Sequence, residues 1–595
     1  MWQKGLIRHG KQYIINTEGA VCSMPQSLLN SDIFGTFIED YLESLKKSDI
    51  GMYRVLFGRA RVADVRTRLR KLLLMLTSHS LDSLVDVLPE ARSFLDKRAE
   101  LADFIELCYN FWREKERFLL CLSEQGPWSY DQRPFRTFNS TVEQLTDVLR
   151  ATYRDIMENI TNDHPRVYRQ VQAGCQAGVI AVPKPWKVPG GPYRQLARIP
   201  FVRQVWIDPP MIIDPPTNTR TGRFSRVEKN PLNGMKLDPE QWLCYPIQVG
   251  PLTVFVYFHL SFIGLGLSLS NLFEMSKDDE IAGGPDAICF FGADPALMAQ
   301  FGDLPTVFYE DAGNGLLVGA VPCEDRFGYF GYLKKMVLTL HNIVMMKRGR
   351  MPYHGAMCRI LLKGGKYLNV LLIGDTATGK SETLEALRTI GAGRIQSLQI
   401  IADDMGSMEI DRNDRCIRGY GTEIGAFIRL DDLQAGYAFG EIDRAIIMSP
   451  HKTNARVVLP VTTLRRVLAG HRVDLLLYAN NYEEVGPDKP ILQRFSSKRE
   501  ALATFREGVA MAKGTTTATG LVKNYFANIF GPPQYQELHD RLAEKVFEAA
   551  FRYGIWVGQM RSRLALPGYS IRGPEAAARE LLKLVGQSTK VVDRR

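Results

Sequence analysis

Residues 374–381 read Gly-Asp-Thr-Ala-Thr-Gly-Lys-Ser and match the pattern G-x-x-x-x-G-K-[ST] completely. An apolar run from Tyr367 to Ile373 precedes this stretch, and a helical pattern follows it. In a strand, loop and helix of this kind, backbone amides and a helix N-terminus point at one spot, which favours a bound anion. We therefore predict an α/β domain in which one loop and the first helical turn bind a nucleotide through Gly374, Asp375, Thr376, Ala377, Thr378, Gly379, Lys380, Ser381 and Glu382.

Two side chains of this loop have specific expected roles. Lys380 would neutralise the β- and γ-phosphate oxygens, and the Ser381 hydroxyl would hold Mg²⁺. The apolar run that begins at Leu398 ends in Asp403 and Asp404, and paired carboxylates at a strand end suit a hard cation beside a phosphate. Turns and helix caps also use paired aspartates, but next to a phosphate-binding loop we predict that this pair binds metal.

The length and composition limit the class of protein. A chain of 595 residues exceeds one domain, so two to four units are expected. Hydrophobic residues make up 45% and charged residues 24%, values that exclude a disordered or fibrous chain. Lysine plus arginine is 75 and aspartate plus glutamate is 65, which gives a net charge of +10. This excess suits an anionic ligand but is diffuse, so we expect no nucleic-acid partner.

Cysteine usage and hydropathy predict a cytoplasmic protein. The nine cysteines are odd in number and never spaced as CxxC, which indicates neither a disulfide framework nor a zinc cluster. Residues 1–20 contain no apolar segment typical of a secretory signal. Residues 249–273 are nearly uncharged and long enough to span a bilayer, but glycine, proline and serine interrupt them. We predict two consecutive buried strands there and no membrane partner.

Three regions are predicted from the local patterns. Residues 1–180 are expected to form a helical region whose role the sequence does not give, although a protein partner or self-association through these helices is an open possibility. Residues 200–340 are expected to form a mixed-sheet substrate domain, and residues 341–595 a nucleotide- and metal-binding domain. The expected helices of the first region are Leu42–Lys47, Val62–Leu76, Leu81–Leu95 and Leu101–Leu122. The expected strands and helices of the last region are Leu368–Ile373, Leu398–Ile401, Arg444–Met448, Val473–Tyr478, Gln534–Tyr553 and Glu575–Val585.

Four further stretches of sequence resemble the phosphoenolpyruvate carboxykinase family. A histidine lies just upstream of the loop in Tyr353-His354-Gly355, and an arginine follows it at Arg456. The segment from Gly328 to Lys335 contains a tyrosine, a glycine and a double lysine, and Lys335 precedes His354 by 19 positions. Earlier still, residues 221–223 read Thr-Gly-Arg. The motifs keep the family order and cover about residues 215–590.

The resemblance implies a fold, a reaction and a set of site residues. The fold would be the two-lobed mixed-sheet carboxykinase architecture with its P-loop, preceded here by an extra helical region. The reaction would be the metal-dependent decarboxylation of oxaloacetate, with phosphoryl transfer from a nucleotide to give phosphoenolpyruvate and CO₂. The resemblance implies Mn²⁺ held by Lys335, His354 and Asp404, substrate carboxylates received by Arg223, Tyr329 and the Gly331 amide, and the transferred phosphoryl group met by Arg456.

Departures from the family pattern leave alternatives open. The Lys-Ser-Glu ending of the loop is more similar to HPr kinase/phosphorylase, and Phe427 stands where ATP-dependent members have a lysine. ATP is the default phosphoryl donor, with GTP, ADP and pyrophosphate as alternatives. The second functional hypothesis is a kinase of the same fold that acts on a protein serine or a small-molecule hydroxyl, with a carboxylate as general base. A third is a nucleotide-sensing scaffold without turnover.

Overall fold

The computed structural model describes residues 5–17, 22–123, 135–164, 166–167, 171–221, 224–375, 378–430, 441–513, 519–531 and 533–590. The chain divides into two compact units. The first contains residues 1–184 and 198–211, and the second contains residues 185–197 and 212–595. Both contain helices together with mixed sheets, so the α/β class that the sequence predicts is confirmed.

The first unit packs helices against a five-stranded mixed sheet. Its α-helices are Pro25–Asn30, Asp32–Ser48, Ile50–Phe57, Val62–Leu76, Leu81–Leu84, Arg92–Leu95, Arg98–Arg113 and Phe135–Thr161, with a short 3₁₀ helix at Pro89–Ala91. The strands, in their order across the sheet, are Gly5–His9, Gln12–Thr17, Glu116–Leu122, Ala177–Val182 and Phe201–Ile207. The three central strands are parallel to one another, and the strand at each edge is antiparallel to its neighbour. Apolar faces of the helices and the sheet form one continuous buried core.

The prediction of a purely helical region before residue 180 is wrong in part. The helix Val62–Leu76 has the predicted bounds, but residues 81–95 form two short helices around a 3₁₀ turn. The predicted helix Leu101–Leu122 ends at Arg113, and the strand Glu116–Leu122 follows. The fully buried Arg117 ends the helix, because its Nη1 donates to the carbonyls of Trp112 and Arg113 at 3.0 and 2.7 Å.

The first sheet of the second unit is built from strands between residues 225 and 322. Its strands, in order, are Trp242–Val249, Leu252–His259, Ala287–Ala293, Leu316–Pro322, Val307–Asp311 and Ser225–Val227, and Glu274–Met275 pairs with the first. The helix Phe330–Lys347 packs on this sheet. The prediction of two strands within residues 249–273 is correct for the first half only. After His259 the chain forms the helical turns Leu260–Phe262, Ile263–Leu267 and Ser268–Asn271, because the glycines and serines there fit tight turns.

The second sheet of this unit carries the predicted phosphate-binding loop. Its strands, in order, are His471–Arg472, Cys416–Gly421, Met405–Asp411, Met351–Leu362, Tyr367–Ile373, Leu475–Asn480, Trp556–Arg561 and Leu492–Arg494, and Ile395–Ala402 also pairs with Met351–Leu362. The helices Lys380–Ile390 and Arg572–Gln587 pack together and share a core with this sheet. The strands and the two C-terminal helices predicted from residue 368 onward are confirmed, with shifts of a few residues at their ends.

Smaller elements complete the described part of the second unit. The strands Gly425–Arg429, Arg456–Pro460 and Ile446–Met448 form an antiparallel sheet, and Val509–Lys513 pairs with Thr519–Lys523. The remaining α-helices are Asp278–Gly283, Pro295–Met298, Leu464–Leu468, Lys498–Glu507 and Gln536–Arg552. The remaining short elements are the strand Met211–Ile213 and the 3₁₀ helices Gly191–Arg198, Ala299–Phe301, Asp325–Phe327, Ile442–Arg444, Tyr525–Ala527 and Pro533–Tyr535. Within the described ranges, no helix has both the length and the apolar character needed to cross a membrane.

Candidate active site

Three neighbouring strands of the second sheet bring the predicted loop, histidine and aspartates together. The strand Met351–Leu362 lies between Tyr367–Ile373, which enters the loop, and Met405–Asp411, which follows the aspartates. The amide of Gly374 donates to the carbonyl of His354 at 3.1 Å. The amide of Gly355 donates to the carbonyl of Asp404 at 2.8 Å. Residues that are distant in sequence therefore lie side by side at one end of the sheet.

The described part of the predicted phosphate-binding loop is tightly hydrogen-bonded. The Lys380 ammonium, which is 6% exposed, donates to the carbonyls of Gly374 and Asp375 at 2.5 and 2.8 Å. The Thr378 hydroxyl also donates to the Asp375 carbonyl, at 2.7 Å. Burial lowers the pKa of Lys380. Ser381 and Glu382 lie in the first turn of the helix, and the predicted loop residues Thr376 and Ala377 lie outside the described residues.

Gly379 occupies a position that a larger residue would not fit. Its φ is +94°, in the left-handed region, and a Cβ built there would lie 2.5 Å from the Cβ of Ser562. The Ser562 hydroxyl in turn donates to the Thr378 carbonyl at 2.8 Å. The contact between Gly379 and Ser562 therefore fixes the end of the loop against the strand Trp556–Arg561.

A buried lysine and two carboxylates lie next to the loop. Lys334 Nζ lies 2.8 Å from Asp404 Oδ2 and 3.4 Å from Glu423 Oε1. Burial opposes the charge on Lys334, but the two carboxylates raise its pKa above the usual value. Burial would raise the pKa of Asp404, yet the Lys334 charge and the His354 contact hold it well below its usual range. Burial raises the pKa of Glu423 to about 7 and that of Asp403 to about 6.

His354 is held from both sides of its ring. Nδ1 contacts the carbonyl of Ala527, and Nε2 lies 3.1 Å from Asp404 Oδ1. The Ala527 carbonyl is presented by three consecutive left-handed residues, with φ of 46° at Phe526, 56° at Ala527 and 63° at Asn528. Non-glycine residues rarely adopt this conformation, and it is frequent where a chain is held for function. Because a carbonyl only accepts hydrogen bonds, Nδ1 carries the proton and Nε2 faces Asp404.

Lys335 lies on the same side of the site as His354. Its ammonium is 4.3 Å from the centroid of the Phe530 ring, and that ring also packs on His354 with a centroid separation of 5.1 Å. Burial and the nearby Arg220 cation lower the pKa of Lys335 to about 8. Lys334 rather than Lys335 forms the ion pair with Asp404, whereas the resemblance gives the metal-binding role to Lys335.

The donors at this point suit a divalent cation. Lys335 loses its proton more readily than an ordinary lysine, His354 presents a lone pair at Nε2, and Asp404 is ionised. In the neutral histidine, Nε2 and Asp404 Oδ1 are two acceptors facing each other, an arrangement that a shared cation would stabilise. A mixed set of amine, imidazole and carboxylate ligands suits a divalent first-row transition metal, and the carboxylate is a ligand type that Mn²⁺ accepts. The candidate metal ligands of the sequence are thus compatible with the cation that the resemblance implies.

Phe427 connects the residues expected at the substrate and phosphoryl end. Its ring centroid lies 6.0 Å from that of Tyr329, 5.8 Å from the Lys334 ammonium and 5.4 Å from the Arg456 guanidinium carbon. Arg456 Nε is buried and has no hydrogen-bond partner among the described residues. A buried donor of this kind is costly unless an acceptor arrives, so Arg456 is suited to an anionic ligand. Gly331 lies beneath the Tyr329 ring, where a Cβ would be 2.3 Å from a ring carbon.

The predicted substrate arginine, Arg223, lies outside the described residues, as does Gly222. The residues just before them are described. The amide of Thr221 donates to the Tyr332 hydroxyl at 3.1 Å, and burial lowers the pKa of Arg220. The Arg220 cation is close enough to Lys335 to depress the pKa of that lysine. Arg220 is therefore a cation of the site that the sequence analysis did not single out.

Several other contacting residues were missed because nothing in the sequence marks them. Glu423, Ala527, Phe530 and Ser562 reach the site from segments far from the motifs, and Lys334 was passed over in favour of its neighbour. A separate acidic group, Asp411 and Asp414 beside Cys416, is bridged by Arg418 and is explained by that ion pair. No protein-family model matches the chain, and no curated protein matches its sequence.

Proposed function

We propose that this chain is a phosphoenolpyruvate carboxykinase-like enzyme with the two-lobed fold of that family. It would decarboxylate oxaloacetate and transfer a phosphoryl group from a nucleotide, ATP by default, to give phosphoenolpyruvate and CO₂. The observation that carries this proposal is the meeting of the phosphate-binding loop with His354 and Asp404 on adjacent strands, with Lys335 beside the same histidine. A nucleotide phosphate and a metal-bound substrate could react only where these groups adjoin.

The first step of the proposed reaction breaks a carbon–carbon bond. Arg223, Tyr329 and the Gly331 amide would orient the carboxylates of oxaloacetate, as the resemblance implies. The bond to the departing carboxylate breaks, CO₂ leaves, and the electron pair forms the enolate of pyruvate. A divalent cation, when bound, stabilises the negative charge that develops on the enolate oxygen. The buried Tyr329 ring and the half-buried Phe427 ring support this step because they limit the access of water to the reacting carbon.

The second step transfers the phosphoryl group. The enolate oxygen attacks the γ-phosphorus, and the bond from that phosphorus to the β-bridging oxygen breaks, so that the nucleoside diphosphate leaves. Lys380 at the loop and Arg456 with its unpartnered Nε would neutralise the charge spread over the γ-oxygens. Lys380 is held by the loop carbonyls before the reaction, which lowers the cost of reorganisation in the transition state.

Two cation positions belong to this proposal. Lys335, His354 and Asp404 would hold Mn²⁺, and Ser381 with Asp403 would hold Mg²⁺ beside the nucleotide phosphates. Lys335 must be neutral as a ligand, and its lowered pKa of about 8 makes this loss of a proton inexpensive. Burial raises the pKa of Asp403. The nearby Lys380 charge lowers the pKa of Asp403 and offsets part of that rise.

The test is an activity assay with four donors. Purified protein is incubated with oxaloacetate, Mn²⁺, Mg²⁺ and in turn ATP, GTP, ADP or pyrophosphate, and phosphoenolpyruvate is measured. We expect nucleotide-dependent product that Lys380→Ala abolishes and that the exposed control Lys363→Ala leaves unchanged. The proposal fails if none of the four donors gives phosphoenolpyruvate.

The alternative proposal is a kinase that phosphorylates a protein serine or a small-molecule hydroxyl. The observation in its favour is Asp403, whose pKa of about 6 lies near neutrality, as a general base requires. Arg223→Ala separates the two proposals, with the nearby exposed Arg226→Ala as its control. A severe loss that is specific to Arg223 supports the carboxykinase, whereas intact phosphoryl transfer supports the kinase.

We also propose that the protein works in the cytoplasm. The nine cysteines are free thiols, and seven of them are buried. This usage fits a reducing compartment, where thiols persist without pairing.

A further inference from the structure

The first unit contains a large apolar cavity that the proposed reaction does not use. Its volume is about 680 Å³, and it is bounded by the strand Gln12–Thr17 and by several helices. Most of its lining is aliphatic or aromatic and includes Phe37, Leu73, Ile105, Trp112 and Leu149. Every described residue that lines it belongs to this unit, so the described lining is separate from the site around His354.

The size of this cavity is that of a ligand site rather than of a packing defect. Protein interiors are close-packed, and a void costs stability in proportion to its volume because the lining atoms lose contacts. Small-molecule sites commonly have volumes of about 300–1,000 Å³ and mainly apolar walls. Water would find few partners against such walls. The cavity therefore has the size and surface expected for an apolar ligand.

Two polar side chains of the lining already donate hydrogen bonds to protein acceptors. Trp112 Nε1 donates to the carbonyl of Ala173 at 2.6 Å, and the Tyr153 hydroxyl donates to Glu106. The lining thus presents the faces of these rings, while their polar atoms are hydrogen-bonded to other residues. This arrangement favours contact with aliphatic or aromatic carbon atoms of a ligand.

The charge of the lining selects against an anion. Asp32 is the one Asp or Glu among the described lining residues, and these residues include no lysine, arginine or histidine. Burial raises the pKa of Cys22, Cys108 and Tyr109, so these groups are neutral near pH 7. Asp32 is exposed and stands in the first turn of the helix Asp32–Ser48, at the solvent side of the cavity. A carboxylate or phosphate head would therefore meet an acid rather than a cation.

We propose that the first unit binds an uncharged, predominantly apolar small molecule in this cavity, with a hydroxyl or similar donor of the ligand directed at Asp32. The ligand would be an aliphatic alcohol or a compound of comparable polarity. The proposal does not depend on nucleotide, metal or the carboxykinase reaction. It gives the first unit a role in small-molecule binding.

A neighbouring cavity defines the competing class of ligand. It has a volume of about 690 Å³ and contains Arg113, Arg150 and Arg154. The stacked rings of Tyr109 and Tyr153, 4.1 Å apart, line both cavities. An anionic amphiphile that used both would place its charged head among these arginines. The experiment must therefore compare two ligands that differ only in the charge of the head.

The test uses the full chain and the uncharged dye Nile red, whose fluorescence rises in apolar surroundings. Bound dye is then displaced with 1-decanol or with decanoate, which share a chain length and differ in charge. We expect saturable dye binding and displacement by 1-decanol at concentrations about tenfold or more below those needed for decanoate. Asp32→Lys should reduce or reverse this preference, because the head would then meet a cation.

Two variants locate the dye. Leu149→Trp fills the cavity and should weaken dye binding about tenfold or more, whereas Leu107→Trp, at an exposed position of the helix Arg98–Arg113, should leave it within about twofold. Leu149→Phe gives a smaller filling if the tryptophan variant does not fold, which thermal unfolding reports. The proposal is overturned if the dye does not bind, if both tryptophan variants bind it equally, or if decanoate displaces it as well as 1-decanol does.

Discussion

His354 Nε2 lies 3.1 Å from Asp404 Oδ1, while Nδ1 of the same ring contacts the carbonyl of Ala527. The second contact fixes the proton on Nδ1, so the first brings a lone pair toward an ionised carboxylate. Such a pair is stable only when a proton or a metal ion lies between the two acceptors. This relationship, together with the adjacent phosphate-binding loop, is the basis of the proposed metal site.

The first prediction concerns Mn²⁺ affinity. Asp404→Asn removes the ionised ligand while preserving its shape, and we expect Mn²⁺ binding to weaken about 10- to 100-fold. Electron paramagnetic resonance of free Mn²⁺ in a titration measures this. Asp411→Asn is the matched control, because Asp411 is an acid already paired with Arg418. Equal losses in both variants, or no loss in Asp404→Asn, would contradict the assignment of the metal site.

The second prediction separates the two neighbouring lysines. Lys334→Met leaves the buried Glu423 and the half-buried Asp404 without their cation, and we expect a loss of about 3–5 kcal/mol in the free energy of unfolding of the second unit. Lys335→Met should cost less than about 1 kcal/mol, because methionine packs well on the Phe530 ring. Urea unfolding followed by circular dichroism measures both.

For Lys335, we expect the substitution to reduce activity rather than stability. If Lys335 is a metal ligand, Lys335→Met folds normally and loses phosphoenolpyruvate formation. A stable and fully active Lys335→Met protein would show that the lysine of the family motif has no role here.

The third prediction tests the shape of the loop. Gly379→Ala places a methyl group 2.5 Å from Ser562 at a φ of +94°, so we expect a cost of about 1–3 kcal/mol and nucleotide binding weakened at least tenfold. Gly393→Ala is the control, since a Cβ there meets nothing within 4 Å. Calorimetric titration with ATP measures the affinity. Equal binding by the two variants would argue against a rigid loop.

The fourth prediction concerns acid stability. Burial lowers the pKa of both His341 and His539 to about 4, despite hydrogen bonds to Asn342 and Pro352 that oppose the shift. Arg348 and Arg350 lower the pKa of His341 further, and Asp540 works against the shift at His539. Histidine in the unfolded chain titrates near pH 6.5, so below that pH the unfolded chain binds protons that the folded chain does not bind.

Each neutral buried histidine therefore contributes about 3 kcal/mol to the free energy of unfolding above about pH 6.5. This contribution is lost as the pH falls toward about 4. The raised pKa values of Glu423 and Asp403 have the opposite effect over this range, so the test compares the protein with His341→Gln. The urea midpoint of the unsubstituted protein should fall relative to that of His341→Gln as the pH decreases from about 7 to about 5. A difference between the two midpoints that does not change over this range would contradict the burial of a neutral His341.

The sequence predicts those elements whose hydrophobic period is clear. The helix Val62–Leu76 has an apolar face and a charged face. The strand Tyr367–Ile373 is a largely apolar run that ends at the loop. The strand Glu116–Leu122 was hidden because it is buried on both faces and follows a helix without any glycine or proline. The boundary is marked by the capping of that helix by Arg117, a side-chain contact that the hydrophobic period does not reveal.

The site residues also differ in whether the sequence predicts them. Local pattern marks Lys380 in the glycine-rich loop and Asp404 at the end of an apolar run, whereas His354 is expected only from the family resemblance. Spacing cannot decide which of two adjacent lysines turns toward a carboxylate, and helix geometry gives the ion pair to Lys334. Glu423 and Phe530 join the site through tertiary contacts that leave no local pattern.

The central claim is that phosphoryl transfer and decarboxylation occur together at one site. ³¹P nuclear magnetic resonance of the protein with oxaloacetate, ATP, Mn²⁺ and Mg²⁺ follows both products in one sample. The account predicts phosphoenolpyruvate and ADP in equal amounts, both absent with Lys380→Ala. ADP without phosphoenolpyruvate, or no consumption of ATP, would contradict it.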